Sequence, residues 1–291
     1  MKKRAIIYII IAGILWGTSG IFVHYLSPYG FTAYQMTAVR AIVSFLCIFV
    51  YALIKNKALL RVKPINILLF LGIGASLFFT ASCYYLSMQL TSVSTAVVLM
   101  YTAPIYVMVF SVLFFKEKLT KLGLVSIACM LSGCCLVAGI IGGAEFDVIG
   151  ILIGVISGIA YATYNILTKI SMQRNLAPIS VTLYSFLFMS IISLFVLEPT
   201  TMVINVSHAP AITIPLLLGL GICTFVIPYF LYTVAMKDLS AGTASALSVV
   251  EPMAATLFSV VIFREALNWF SIIGIVLILS AIFIIGKAEK D

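Results

Sequence analysis

The sequence predicts an all-α integral membrane protein: ten transmembrane helices in two inverted five-helix repeats. Three observations lead there. Of 291 residues, 63% are apolar and 9% are charged, and the mean hydropathy is +1.24. Soluble domains carry about 25% charged residues, so this chain cannot build a water-facing surface, and lipid must be its solvent. Next, the stretch Tyr232 to Leu267 lies on Tyr84 to Leu119 without a gap at an offset of 148, with 13 of 36 pairs identical. The matches include Thr95/Thr243, Leu99/Leu247, Pro104/Pro252, Phe110/Phe258 and Glu117/Glu265. Last, the positive charges alternate from one set of loops to the other.

A membrane helix needs about 20 mostly apolar residues. Ten such segments fit, at roughly 5–26, 31–54, 65–88, 92–115, 120–141, 148–171, 178–197, 212–236, 240–263 and 268–286. The first runs on to about Leu26, beyond the roughly 7–15 residues of a signal-peptide core, and reads as an uncleaved span. The breaks carry turn or charge signals: Ser27-Pro28-Tyr29-Gly30, Lys55-Asn56-Lys57, Gly142-Gly143, Glu198-Pro199 and Lys237-Asp238. Several links are short enough to force antiparallel neighbours.

With the N-terminus inside, 15 of the 17 Lys and Arg residues fall on the inner side; Arg264 falls outside and Arg40 inside a span. That asymmetry satisfies the positive-inside rule, and it accounts for the net charge of +8 without a nucleic-acid partner. Five spans in the first half, residues 1–143, is an odd number. The second half, 144–291, therefore enters from the opposite side and is inverted. At an offset of 145, Gly13, Trp16 and Thr18 also meet Gly158, Tyr161 and Thr163.

The repeat singles out candidate functional residues. Pro104 and Pro252 lie mid-span, and each frees the carbonyl four residues earlier, on Met100 and Ser248. In lipid such a carbonyl finds a neighbouring helix or faces a polar cavity; both readings stand. Ser76, Thr80 and Tyr84 recur at four-residue spacing, as do their mates Thr224, Pro228 and Tyr232, which makes Pro228 a third candidate kink. This polar stripe either bonds other helices or lines a cavity. Glycines at four-residue spacing (Gly13 and Gly17; Gly150, Gly154 and Gly158) permit close helix approach. Trp16 and Tyr161 stand beside them, with Asn165 and Thr168 on the Tyr161 face. Arg40 and Glu251 are charges inside spans and must be paired, solvated or neutral. Lys169 can snorkel inward, and His24 reads as interfacial.

No Walker A loop, GxSxG, HExxH or GxGxxG after a strand occurs, so no enzyme signature is present. An integral-membrane lipid enzyme is a remote alternative, because it would need an acidic or histidine cluster. The six cysteines make no CxxC and suggest neither a metal site nor a disulfide framework. No cofactor is expected.

Two segments carry a family resemblance. They run from Leu99-Met100-Tyr101-Thr102-Ala103-Pro104 to Lys116-Glu117-Lys118-Leu119, and from Val249-Val250-Glu251-Pro252 to Phe263-Arg264-Glu265-Ala266-Leu267. With Trp16-Gly17, they resemble the EamA family of the drug/metabolite transporter superfamily over essentially the whole chain. The resemblance implies export of small metabolites, commonly amino acids, by alternating access. It also implies a central cavity walled by spans 1, 3, 4, 6, 8 and 9. A sugar, nucleoside or drug carrier is the next reading. Short relatives couple to protons through a first-helix glutamate, but spans 1 and 6 here lack a carboxylate. Proton coupling would fall to Glu251 or His24, and uniport stays open.

The expected substrate-binding set is Trp16, Thr80, Tyr84, Tyr101, Tyr161, Asn165, Tyr232, Ser248 and Glu251. The expected setting is a bacterial inner membrane with both termini cytoplasmic. The expected partners are a small-molecule substrate, the lipid bilayer and protons as a candidate coupling ion, in a monomer or homodimer.

Overall fold

The structure, a computed structural model, describes residues 2–91, 93–115, 120–137, 147–264 and 269–288. The expected boundary at 143/144, the pair Gly142-Gly143 and the signature residues Lys116, Glu117, Lys118, Leu119, Glu265, Ala266 and Leu267 lie outside the described residues. Among the described residues every regular element is helical.

Helices α1 (Lys2–Gly17) and α2 (Ser19–Leu26) form one stretch, offset at Thr18, whose hydroxyl donates to the Leu15 carbonyl at 2.6 Å. A capping box starts α3 (Ala33–Lys55): Thr32 Oγ1 accepts from Gln35 N, and Gln35 Oε1 accepts from Thr32 N. Then come α4 (Ile67–Leu90), α5 (Val93–Met100), α6 (Ala103–Phe115) and α7 (Lys121–Val137). The second half holds α8 (Val148–Gln173), α9 (Pro178–Leu194), α10 (Pro199–His208), α11 (Pro210–Gly221) and α12 (Ile227–Ala235). It ends in α13 (Ala241–Leu247), α14 (Val250–Phe263) and α15 (Trp269–Ala288).

Among the described residues, seven helical stretches are long and apolar enough to cross a membrane. They are Lys2–Tyr29, Ala33–Lys55, Pro64–Leu90, Thr95–Phe115, Val148–Gln173, Pro210–Ala235 and Ala241–Phe263. Helices α9 and α10 form a pair bent by 100°, and two shorter apolar helices cover Lys121–Leu136 and Trp269–Ile284. The helix α10, within the link after segment 7, has no counterpart in the sequence reading. The outer surface is apolar: Leu68, Phe114, Val261 and Trp269 are each more than two-thirds exposed, as befits side chains facing acyl chains.

The mid-span prolines do more than bend a helix. Tyr101-Thr102 separates α5 from α6, and Ser248-Val249 separates α13 from α14. At the repeat offset Met100 falls on Ser248, so the two interruptions agree to within a residue. Pro104 and Pro252 each sit in the first turn of the new helix, where a missing N–H costs nothing. The carbonyl that Pro252 releases, on Ser248, accepts from the Glu251 N–H at 3.0 Å in a tightened turn. Pro228 is handled differently. A π-turn over Ile222–Val226 precedes it, and Ile227 N–H reaches back five residues to the Ile222 carbonyl.

Packing follows the repeat. Helix α4 lies against α8, and its counterpart α12 lies against α1; α3 pairs with α9 and α7 with α15. Two matched glycines permit close crossings at the interruptions. A Cβ on Gly158 would stand 2.7 Å from the Leu99 carbonyl oxygen and 2.9 Å from Thr102 Oγ1. A Cβ on Gly13, its match in the first half, would stand 3.0 Å from Val250 Cβ. Thr102 and Val250 are themselves equivalent at the offset of 148. Each glycine therefore lets the interrupted helix of the other half approach the middle of its span.

Candidate functional site

Between the two halves lies a cavity of about 380 Å³, within the range of small-molecule sites. One wall comes from the α1/α2 junction, with Trp16, Ser19 and Gly20. Another comes from α4, with Leu77, Thr80, Ala81, Tyr84 and Tyr85. The interrupted helices supply Val97, Met100 and Tyr101 on one side and Glu251, Pro252, Ala255 and Thr256 on the other. Tyr161 of α8, Arg40 of α3, and Thr224, Phe225 and Tyr229 around the π-turn complete it.

An aromatic cluster forms its floor. The Trp16 ring meets Tyr229 edge-on at 5.0 Å and lies 5.5 Å from Tyr232. Tyr161 stacks on Tyr164 at 5.9 Å, and Tyr164 contacts both Tyr229 and Tyr232.

Two charges face the cavity. Glu251 is half-buried, and its Oε2 accepts a hydrogen bond of 2.5 Å from the Tyr101 hydroxyl. The donor belongs to the turn between α5 and α6, and the acceptor to the first turn of α14. Arg40, two turns into α3, is buried; its Nη2 donates to Thr37 Oγ1 at 3.0 Å and to the Tyr85 hydroxyl at 2.8 Å. The guanidinium sits over the Phe225 ring, 4.8 Å from its centre. Among the described residues neither charge has an ion-pair partner.

The hydroxyls of the stripe on α4 are satisfied mainly by its own backbone: Ser76 donates to the Gly72 carbonyl and Thr80 to that of Ser76, both at 2.7 Å. Ser87 reaches across to the Gly150 carbonyl at 2.7 Å, and Ser157 of α8 to the Thr80 carbonyl at 3.1 Å. Thr80 and Tyr84 of the stripe line the cavity, while Ser87, one turn beyond Tyr84, bonds the neighbouring helix.

Of the expected binding residues, Trp16, Thr80, Tyr84, Tyr101, Tyr161 and Glu251 are brought together on the cavity wall, with Pro252 beside them. Asn165, Tyr232 and Ser248 are fully buried and stand behind it. The Tyr232 hydroxyl donates to Asn165 Oδ1, and Asn165 Nδ2 donates to the Tyr161 carbonyl at 2.7 Å. The Ser248 hydroxyl is spent on the Ser245 carbonyl at 2.6 Å. Pro104 and Pro228 shape the wall without lining it. Sequence reasoning left out Tyr85, Tyr229 and Thr256, and singled out Arg40 only as a charge needing neighbours. Tyr85 and Tyr229 adjoin Tyr84 and Pro228, so the available signal was proximity to residues already chosen.

The cavity occupies the half of the bundle toward the turn at Ser27–Tyr29. At the opposite end the halves are packed together. There Lys169 Nζ donates to the carbonyls of Met236 at 3.0 Å and Leu239 at 2.5 Å. Both residues are fully buried, as are Ala235, Ala241 and Ala244 around them. The cation thus closes the C-terminal end of α12, where carbonyls lack helical partners.

Comparison with known proteins agrees with this architecture. A chain from Archaeoglobus fulgidus, named an uncharacterized transporter, is 27% identical over 294 residues, covering 95% of this chain and 94% of that one. The uncharacterized transporter YwfM of Bacillus subtilis is 25% identical over 295 residues, covering 98% and 94%. A solved crystal structure superposes with a TM-score of 0.79 at 17% identity, covering 100% of this chain and 99% of that one, which shows a shared fold. The family model described as the EamA-like transporter family matches twice, over residues 3–139 and 148–287. With both matches together spanning nearly its whole length, the chain belongs to the EamA-like transporter family.

Proposed function

We propose that the protein is a secondary transporter that exports small metabolites, chiefly amino acids, across the bacterial inner membrane by alternating access. Ten spans in two inverted repeats, 1–143 and 144–291, with both termini cytoplasmic, form its frame. The lysine and arginine distribution supports that orientation, an odd number of spans per half supports the inversion, and the paired packing of equivalent helices supports a two-fold relation between the halves. The structure then corresponds to an outward-facing state, because the cavity lies in the half away from the N-terminus.

The observation that carries the reading is the composition of the cavity wall: aromatic rings, with Arg40 and Glu251 as charges of opposite sign. Aromatic surface suits an apolar side chain, and opposite charges suit a zwitterion. A site for phosphorylated sugars would call for several cations, and a site for cationic drugs would not retain Arg40. Trp16, Thr80, Tyr84, Tyr101, Tyr161 and Glu251 are the proposed substrate contacts. Asn165, Tyr232 and Ser248 hold those contacts in place.

The test is counterflow in proteoliposomes preloaded with unlabelled amino acids, sugars, nucleosides or cationic drugs. Accelerated uptake of a labelled amino acid into amino-acid-loaded vesicles is expected. Exchange confined to sugars, nucleosides or drugs would overturn the amino-acid assignment, and no exchange of any solute would overturn transport.

A further inference from the structure

Arg40 is unusual among the cavity residues. It is 9% exposed, lies within a span, and has no carboxylate in ion-pair contact among the described residues. Its two hydrogen bonds, to Thr37 and Tyr85, engage a single terminal nitrogen and neutral oxygens. The Nε–H is buried without a partner. Trp16 Nε1, in the wall of the same cavity, is also buried and unpartnered. Buried polar groups are nearly always hydrogen-bonded; of the eight such side-chain atoms without a partner among the described residues, these two belong to residues of the cavity wall, where a bound molecule can supply the acceptor.

The missing group can be characterised. A guanidinium presents a planar fork that matches a carboxylate with two parallel bonds. The Phe225 ring beneath it and the bonds at Nη2 fix the plane of that fork. Glu251 at another wall already accepts from Tyr101 on one oxygen, which leaves the other for a donor such as an ammonium.

We propose that Arg40 is the specificity-determining residue of the cavity, taking the carboxylate of the transported molecule with the Trp16 indole N–H as a second donor. This rests on the transport reading above. Arg40 then discriminates against ligands that carry the same ring and amine but no carboxylate, because such ligands leave its donors unpaired.

The experiment is a thermal-shift titration of the purified full-length protein with L-phenylalanine, 3-phenylpropionate and phenethylamine. Ligand binding to the native state raises the melting temperature. We expect stabilisation by the two carboxylates and much less by the amine. Arg40→Gln should weaken both carboxylates by roughly ten- to a hundredfold, the range of a charge-assisted hydrogen bond, while Arg40→Lys restores part of the loss. The probe series on the unaltered protein is informative even if a variant fails to fold. Equal binding of all three probes, no response to either carboxylate, or unchanged carboxylate affinity in Arg40→Gln would overturn the proposal. Arg40-dependent carboxylate binding without counterflow of any solute would leave this assignment standing and sink the transport reading alone.

A second inference stands on a different observation, the Lys169 contact at the packed end. Lys169 lies 145 positions after His24. Met236 and Leu239, whose carbonyls it holds, lie 148 positions after Met88 and Thr91. These are the offsets that relate the two halves. His24 is exposed here, its ring against Phe263 at 4.4 Å. On the alternating-access reading above, the geometry points to His24 as the counterpart latch: when the halves exchange roles, its ring N–H docks on the carbonyls of Met88 and Thr91 and closes the end that is open here.

Crosslinking tests this. In a full-length protein with its native cysteines replaced, a His24→Cys/Thr91→Cys pair should form a disulfide in low yield. Adding Lys169→Ala removes the existing latch and should raise that yield severalfold. A Lys169→Cys/Leu239→Cys pair, which holds the packed end shut, should abolish crosslinking of sites at the opposite end. An equal yield with and without Lys169→Ala would refute the counterpart role of His24.

Discussion

The hydroxyl of Tyr101 and the carboxylate of Glu251 form one hydrogen bond of 2.5 Å across 150 positions of sequence. Each partner lies beside the interruption of its own span, so the bond ties the two broken helices together at the cavity wall. The bond has no twin, because the repeat mates of Tyr101 and Glu251 are Val249 and Ala103. The two halves share the interrupted helix and differ in this contact.

Glu251→Gln should therefore impair transport and leave the protein folded, since the amide keeps the size and one acceptor. Counterflow of the variant, with its melting temperature as control, checks this. Full activity at every pH tested would remove Glu251 from the mechanism. Tyr101→Phe should have a smaller effect, and the double variant should cost less than the sum, because both changes delete the same bond.

Trp16→Ala should weaken substrate binding by about tenfold or more. It removes a ring from the floor and takes an edge-on contact from Tyr229 and a tilted one from Tyr232, each about 0.5–1.5 kcal/mol beyond burial. Affinity equal to that of the unaltered protein would assign Trp16 to packing alone.

Tyr232→Phe separates the wall from what stands behind it. The change deletes the bond to Asn165 and makes no new cavity surface. Interhelical bonds in membranes contribute about 0.6–2 kcal/mol, so a modest fall in melting temperature with unchanged substrate affinity is expected. A large affinity loss would show that the Tyr161–Asn165–Tyr232 chain shapes the site.

Gly158→Ala should reduce both stability and activity, because its Cβ would stand 2.7 Å from the Leu99 carbonyl, a backbone atom that cannot step aside. Gly20→Ala is the control: a Cβ there meets nothing within 4 Å. Equal melting temperatures for the two variants would contradict the close crossing of α8 and the interrupted helix.

Most of the membrane character was legible in the chain. Apolar stretches at spacings set by bilayer thickness, and lysines gathered on alternate loops, report the environment directly and survive any detail of packing. The proline positions were legible too, through the repeat. Their consequence was less so. A proline mid-span permits either a kink or a fresh start, and only the partner helix decides which. At Pro104 and Pro252 the glycines Gly158 and Gly13 let the other half fit against the interruption, and the helix restarts. At Pro228 a π-turn absorbs the same defect.

By itself, then, the sequence determined the solvent, the duplication, the family and the residues that had to be accounted for inside the bilayer, because these depend on composition and on local spacing. The tertiary structure decided which of those residues share a cavity. It turned Tyr84 and Trp16 toward one space and sent Tyr232 and Asn165 behind its wall. It gave Arg40 two neutral oxygens and a ring in place of a counter-ion, and gave Lys169 the carbonyls at the end of α12. No periodicity predicts these outcomes. They follow from which helix of one half crosses which helix of the other, and where small residues let the crossing close.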